Sequence, residues 1–197
     1  MRHFKQLFFL AMLCFCVTPL FSREAILEFK GAYLLSVDEL FRECYKGSAL
    51  YGPELSVQLK NDKNWYAFAG VDYFQQKGRC LSRCDSTKLK LLPITVGIKY
   101  CIPLCHRAHF YFGLGLQSAF IRTTSRRSCV VGKRKQWGFG GIGKMGAYID
   151  LSHNFLLDLF FDYSFIRTDN LYGPTVASCR SSLHAALFGA GLGYRFN

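Results

Sequence analysis

The chain has 197 residues, half of them hydrophobic and 16% aromatic, and carries a formal net charge of +12 at pH 7. If the first 22 residues are removed as an export signal, about 175 residues remain, the size of one domain. No later segment approaches the roughly 18 uninterrupted apolar residues of a membrane-spanning helix, so the sequence excludes a helical membrane anchor after the signal.

The first 22 residues have the features of a secretory signal peptide. A basic start precedes an apolar run from Leu7 to Val17, which is shorter than the ~20 residues that a spanning helix needs. Cleavage after Ser22 would leave a single domain covering residues 23–197. The sequence therefore predicts an exported protein.

The mature chain alternates between bulky apolar and small or polar residues in eight segments of the length expected for tilted barrel strands. In chain order, the predicted strands are 25–36, 49–60, 65–76, 90–102, 108–121, 136–150, 154–166 and 182–196. In the last one, Phe188 and Leu192 alternate with Gly189, Gly191 and Gly193. Such a period of two indicates strands whose two faces meet different surroundings.

The connections between these segments alternate between long and short. The long ones cover 37–48, 77–89, 122–135 and 167–181, and the short ones cover 61–64, 103–107 and 152–153. Outer-membrane barrels have long outer loops and short periplasmic turns, and an even strand number lets the sheet close without an edge. The pattern predicts an all-β fold, an eight-stranded antiparallel up-and-down transmembrane barrel. A secreted β-sandwich is the alternative, because periodicity alone does not say which face is wet.

The faces assigned to the barrel interior carry charges of both signs, which predicts a salt-bridge network inside a narrow tube. The predicted network consists of Glu28, Lys30, Glu54, Lys60, Asp72, Lys99, Lys144, Asp150, Asp158, Asp162 and Arg195. A filled interior would make this network structural, whereas an incompletely filled one would form a small pore for small solutes. Both alternatives are open from the sequence.

Catalytic constellations are not evident. Asp158 and Asp162 are about 13 Å apart if they lie on one strand, too far for a carboxylate pair that acts on one bond. Ser182 and His184 are the only candidates for a hydrolase set, and they lie on the face assigned to lipid. We therefore predict no enzyme activity, no cofactor and no metal site.

The predicted outer loops are basic, and the third contains no acidic residue. Its cations, which form the predicted anion-contact set, are Arg122, Arg126, Arg127, Lys133, Arg134 and Lys135. One explanation is contact with lipopolysaccharide phosphates at the outer leaflet. The other is adhesion to sulfated host glycans, for which a Lys/Arg cluster is typical. Nucleic acid is not an expected partner outside the cell.

Seven of the nine cysteines follow the signal peptide. Export places them in an oxidising compartment, where disulfides can form. The candidates for disulfides are Cys80, Cys84, Cys101, Cys105, Cys129 and Cys179, with a bridge from Cys129 to Cys179 as one option. Because the count, which includes Cys44, is odd, at least one thiol is free or is paired with another envelope protein.

The layout resembles the small eight-stranded outer-membrane barrels, the class that includes OmpX, OmpW and the OmpA transmembrane domain. Its most specific match is the chain end, where Tyr194 and Phe196 resemble the aromatic signal that the barrel-assembly machinery reads, although Asn197 follows. The resemblance implies an outer-membrane surface protein, structural or adhesive, with outer-membrane lipid and the assembly machinery as partners.

A narrower resemblance is to outer-membrane barrels of Chlamydia-like bacteria. It rests on the segment Lys30-Gly-Ala-Tyr33, followed by Leu40-Phe-Arg42, Tyr45 and Gly47. Envelopes of that group rely on disulfides, which fits the cysteine content. This resemblance implies a location and not an activity.

Overall fold

The computed structural model describes residues 24–36, 48–59, 64–79, 86–127, 130–169 and 180–196. They form one antiparallel sheet with strands β1 (Ala25–Ser36), β2 (Ser48–Gln58), β3 (Trp65–Val71), β4 (Tyr73–Arg79), β5 (Ser86–Cys105), β6 (Ala108–Arg127), β7 (Val130–Asp150), β8 (Phe155–Asp169) and β9 (Arg180–Phe196). Within these ranges, no helix has the length and hydropathy needed to cross a membrane.

The sheet closes into an eight-stranded barrel, because β1 pairs with both β2 and β9. The segments β3 and β4 are two parts of one barrel strand, and both pair with β2 and β5. Their interruption falls at Asp72, whose backbone N–H donates to the carbonyl of Pro93 (3.0 Å). Pro93 has no N–H to return a ladder hydrogen bond. The predicted barrel fold is confirmed.

The strands are staggered by ten residues around the barrel. A path along paired residues leaves Cys101 on β5 and returns to β5 at Leu91, and 101 − 91 = 10. The path runs through Cys101, Tyr111, Gly146, Phe160, Gly189, Ala32, Leu50, Phe74 and Leu91. For eight strands, this stagger corresponds to a tilt of roughly 40° from the barrel axis.

Side chains alternate between the two faces as the period of two predicts, and the apolar face points outward. Leu114 and Leu116 are 72% and 73% exposed, whereas Glu28 is 1% exposed in the interior. A sandwich packs its apolar faces against each other, while a barrel in lipid presents them to the outside. The sandwich alternative is therefore wrong.

The prediction of a third outer loop over 122–135 is wrong, because most of this segment is strand. The β6–β7 hairpin is paired from Arg122↔Lys135 up to Arg127↔Val130. Beyond the apolar band both faces of a strand meet water, so apolar alternation no longer marks the strand although the backbone ladder continues.

The same correction applies to two other predicted loops and to one turn. The ladders β4–β5 and β8–β9 continue to Arg79↔Ser86 and to Asp169↔Arg180. At the opposite end β5 runs through Cys105, so the turn comprises residues 106–107 and not 103–107. We call the end with these long hairpins the upper rim, and the end with the short turns and strand β1's first residue the lower rim.

Candidate functional site: a charged interior and a basic upper rim

Seven charged side chains meet in the middle of the barrel, each at most 6% exposed. This ionic core, as we call it, consists of Glu28, Lys30, Glu54, Lys99, Lys144, Asp158 and Asp162. The period of two places them inside from β1, β2, β5, β7 and β8. Because buried charges need partners, their pairing decides whether the interior is stable.

Glu54 is the centre of the ionic core, since its carboxylate contacts all three lysines. The distances are 3.1 Å to Lys30 Nζ, 2.6 Å to Lys99 Nζ and 2.7 Å to Lys144 Nζ. Each of the other three carboxylates also contacts at least one of these lysines. Lys30 also lies 2.9 Å from Asp158 and 3.2 Å from Glu28, and Lys144 lies 2.8 Å from Asp162. One network thus links five strands.

Two tyrosines complete the ionic core and were missing from the predicted site. The Tyr148 hydroxyl donates to Glu28 Oε1 (2.8 Å) and accepts from Lys99 Nζ (2.7 Å), while the Tyr111 hydroxyl donates to Asp158 (3.0 Å). Their rings stack at a centroid distance of 4.6 Å. The period of two places both tyrosines on the inward face, but the predicted network includes charged residues only.

The tyrosine pair needs a glycine across the ladder. A Cβ at Gly146 would lie 2.7 Å from the Tyr111 hydroxyl oxygen, closer than real side chains approach. A Cβ at Gly52 would overlap the backbone carbonyl of Val71 and would lie 2.8 Å from Asp72 Oδ1. Glycine in these strands therefore marks a crowded interior.

Apolar side chains lie inside the barrel on both sides of the ionic core. Toward the upper rim, the buried ones are Leu34, Leu50, Phe74, Leu91, Ile121, Ile166 and Leu187. Toward the lower rim, they are Ile26, Tyr66, Cys101 and Leu156. A pocket of about 410 Å³ lies on the outward face near the lower rim, beside Phe29 and Leu192. The described interior is thus packed along its length.

Four members of the predicted network lie elsewhere. Asp150 and Arg195 meet at the lower rim, 3.0 Å apart, where Arg195 also contacts Glu24 (2.9 Å). This pairing ties β9 to the start of the barrel and to the end of β7. Asp72 lies half-buried between β3 and β4. Lys60 lies outside the described residues.

The predicted anion-contact set divides into two groups. Arg122 and Lys135 are cross-strand partners, and their side chains lie on the outward face. Arg126, Arg127, Lys133 and Arg134 belong to the continuing β6–β7 hairpin, closer to its end. The side chains of these four residues lie outside the described part of the structure.

The remaining predicted residues are separate from one another. Cys101 is a buried free thiol and Cys105 an exposed one, while Cys44, Cys80, Cys84, Cys129 and Cys179 lie outside the described residues. In the described ranges no group of His, Cys, Asp or Glu side chains could hold a metal ion.

Two further predicted residue pairs belong to β9. His184 faces outward and contacts the Tyr163 hydroxyl (3.0 Å), and the side chain of Ser182 is not described. At the chain end, Tyr194 and Phe196 pack edge to face at 4.8 Å. They contribute to the aromatic residues of the lower rim.

Comparison with solved structures identifies the class of fold. Ail, the attachment invasion locus protein of Yersinia pestis, matches with a TM-score of 0.56 and 15% identity over 88% of this chain and 98% of that one. OprG of Pseudomonas aeruginosa matches with 0.56 and 17% identity over 88% and 96%. Neisserial surface protein A matches with 0.51 and 16% identity over 89% and 100%. The chain therefore has the fold of the small eight-stranded outer-membrane barrels.

No family model and no curated protein matches the sequence. Ail has also been solved in complex with the heparin analogue sucrose octasulfate. At these identities the likeness defines the fold, and the function has to be argued from the residues of this chain.

Proposed function

We propose that the protein is a non-catalytic surface protein of a bacterial outer membrane, exported by residues 1–22, that adheres to sulfated glycans through the end of its β6–β7 hairpin. The upper rim is then extracellular, because long hairpins leave the membrane on that side and short turns on the other. The outward apolar band supports the membrane location, since lipid has to cover it.

The observation that carries the adhesive part is the contrast between the packed interior and the basic hairpin. The ionic core and the apolar residues around it occupy the path that a solute would take. The hairpin, by contrast, places four cations beyond the apolar band. We call Arg126, Arg127, Lys133 and Arg134 the hairpin tip. A cluster of Lys and Arg on a short segment is the usual heparin-binding feature, and the complex of Ail with a heparin analogue fits the same chemistry.

Retention on heparin tests this proposal. The variant Arg126→Gln, Arg127→Gln, Lys133→Gln, Arg134→Gln should elute at clearly lower salt than the parent, because each lost cation weakens a screened electrostatic contact. The variant Lys90→Gln, Arg122→Gln, Lys135→Gln, Arg167→Gln loses four outward cations nearer the apolar band and is the matched control for net charge. Equal retention of parent and tip variant would refute the adhesive role.

We further propose that the protein belongs with the barrels of Chlamydia-like bacteria, on the Lys30-Gly-Ala-Tyr33 segment, and that the assembly machinery recognises Tyr194 and Phe196. Disulfide partners in the envelope are part of the same proposal. Reducing and non-reducing gels of native envelopes should then differ, with a cross-linked species that disappears on reduction.

A further inference from the structure

Four cations point outward from four consecutive strands near the upper rim. Lys90 on β5, Arg122 on β6, Lys135 on β7 and Arg167 on β8 form what we call the cationic arc. Their outward direction follows from the alternation of each strand. The adjacent Leu91, Ile121 and Ile166 are only 2–3% exposed on the inward face. On β7, Lys135 shares its face with Trp137, which is 55% exposed.

The register places these four cations at nearly one level. Lys90 pairs with Arg122 and Arg122 with Lys135, while Arg167 pairs with Phe139, four residues below Lys135. At the tilt derived above, one residue along a strand changes the height by ~2.5 Å, and one step between strands changes it by ~3 Å. Three steps from β5 to β8 therefore raise the height by about as much as four residues down β8 lower it, so Arg167 lies close to the level of Lys90. The arc spans roughly 7 Å in height and, because the tilt widens the horizontal spacing of neighbouring strands to ~6 Å, about 19 Å along the barrel surface.

An outward aromatic layer lies directly beneath the arc. The next outward row is Leu92, Phe120 and Trp137, and the rings of Phe120 and Trp137 contact each other at 5.2 Å. On β8 the guanidinium of Arg167 lies 5.1 Å from the ring of Phe165. In membrane barrels such aromatic girdles mark the boundary between hydrocarbon and headgroups. The arc therefore lies at headgroup level.

The arc has an uncompensated positive charge in the described structure. Like charges directly opposite each other on a sheet repel, and none of the four cations forms an ion pair with an acidic side chain that the structure describes. On the other half of the barrel, just below the level of the arc, the described outward residues include the uncharged Leu35, Ala49 and Gln75.

We propose that the cationic arc binds the phosphate groups of a lipid headgroup in the outer leaflet. Its width of about three strand spacings fits a headgroup with more than one phosphate. Arg supplies bidentate donors to phosphate and Lys a point charge. The inference rests on the proposed membrane location but not on glycan binding, because it uses none of the hairpin-tip residues.

Lipid titration of the full-length protein in detergent micelles tests the proposal, with tryptophan fluorescence, to which Trp137 contributes, as one readout and native mass spectrometry as another. The probes are a diphosphorylated glycolipid, its dephosphorylated form and inorganic phosphate. The parent should bind the diphosphorylated lipid at least about tenfold more tightly than the dephosphorylated one. Inorganic phosphate that binds equally well would overturn the assignment to a lipid.

Two variants with the same loss of charge separate the arc from net charge. The arc variant is Lys90→Gln, Arg122→Gln, Lys135→Gln, Arg167→Gln, and it should lose at least about tenfold in affinity for the diphosphorylated lipid. The hairpin-tip variant should stay within about twofold of the parent. Unchanged binding by the arc variant, or an equal loss in both variants, would overturn the proposal.

Faster mobility of the unheated proteins on gels confirms that each variant is a closed barrel. The milder variant Lys90→Gln, Lys135→Gln replaces the fourfold one if folding fails, with an expected loss of at least about threefold. Loss of heparin retention in the arc variant, together with intact lipid binding, would instead assign the arc to glycans and overturn the lipid proposal. If only the heparin test fails, because the tip variant is retained like the parent, the glycan proposal is refuted and the lipid proposal stands.

Discussion

Replacement of Lys99 by Met tests whether the ionic core stabilises the barrel. The Lys99 side chain is fully buried and contacts Glu54 (2.6 Å), the Tyr148 hydroxyl (2.7 Å) and Glu28 (3.5 Å). Methionine has a similar shape and no charge, so the variant removes the ammonium with little change in packing. The parent core holds three lysines and four carboxylates, and the variant would hold two lysines and the same four carboxylates.

The expected cost follows from the partners that remain. Glu54 keeps Lys30 and Lys144, whereas Glu28 keeps Lys30 and Tyr148 as partners. Two hydrogen bonds to an ionised group are lost, and each contributes about 1.5–3 kcal/mol. Removal of one partner from a buried ion pair commonly costs about 3–5 kcal/mol. We therefore expect the free energy of unfolding to fall by about 3–5 kcal/mol.

Urea unfolding in phospholipid vesicles measures this change, followed by the fluorescence of Trp65 and Trp137. The double variant Lys99→Met, Glu28→Gln restores the parent excess of one carboxylate over the lysines, and it should recover at least about half of the loss. A loss below about 1 kcal/mol in the single variant would refute the reasoning. So would a double variant that is as unstable as the single one.

Three further outcomes follow from the described interior. Gly146→Ala should lower the free energy of unfolding by about 1–3 kcal/mol because the Leu159 carbonyl and the Tyr111 ring occupy the space, whereas the control Gly141→Ala, whose Cβ would lie 3.6 Å from its nearest neighbour, should cost less than half as much. Planar bilayers with the purified protein should show no channel conductance, and regular unitary steps would mean that the packed interior opens. Maleimide labelling of the folded protein, mapped by mass spectrometry, should modify the exposed Cys105 well before the buried Cys101, and equal rates would contradict the burial.

The barrel could be predicted from the sequence because each strand has two different environments within the apolar band. There the period of two fixes which residues face inward, and it places Glu28, Glu54 and Lys99 in the interior. The same signal ends where the apolar band ends. That is why the β6–β7 hairpin was predicted as a loop from 122 to 135, although its backbone ladder continues.

The pairing inside the barrel could not be predicted in the same way. Whether a side chain faces inward or outward is a local property of one strand, but a contact such as Lys144 with Glu54 joins residues 90 positions apart. It depends on the ten-residue stagger of the closed sheet, which no single strand encodes. The cationic arc has the same origin. Arg167 reaches the level of Lys90 only through the tilt, so a search for runs of charge in the sequence finds the hairpin tip and does not find the arc.

The packed interior also determines where a ligand can bind. An ionic core that joins five strands and apolar side chains on either side of it occupy the axis, so exchange through the barrel would require several buried ion pairs to separate together. The outward face within the apolar band offers contacts to acyl chains and few polar groups. Charged ligands are therefore restricted to the two rims. At the lower rim Arg195 is already neutralised by Glu24 and Asp150. The upper rim, where the arc cations have no acidic partner in the described structure, is the place where binding of an anion would relieve repulsion between neighbouring strands.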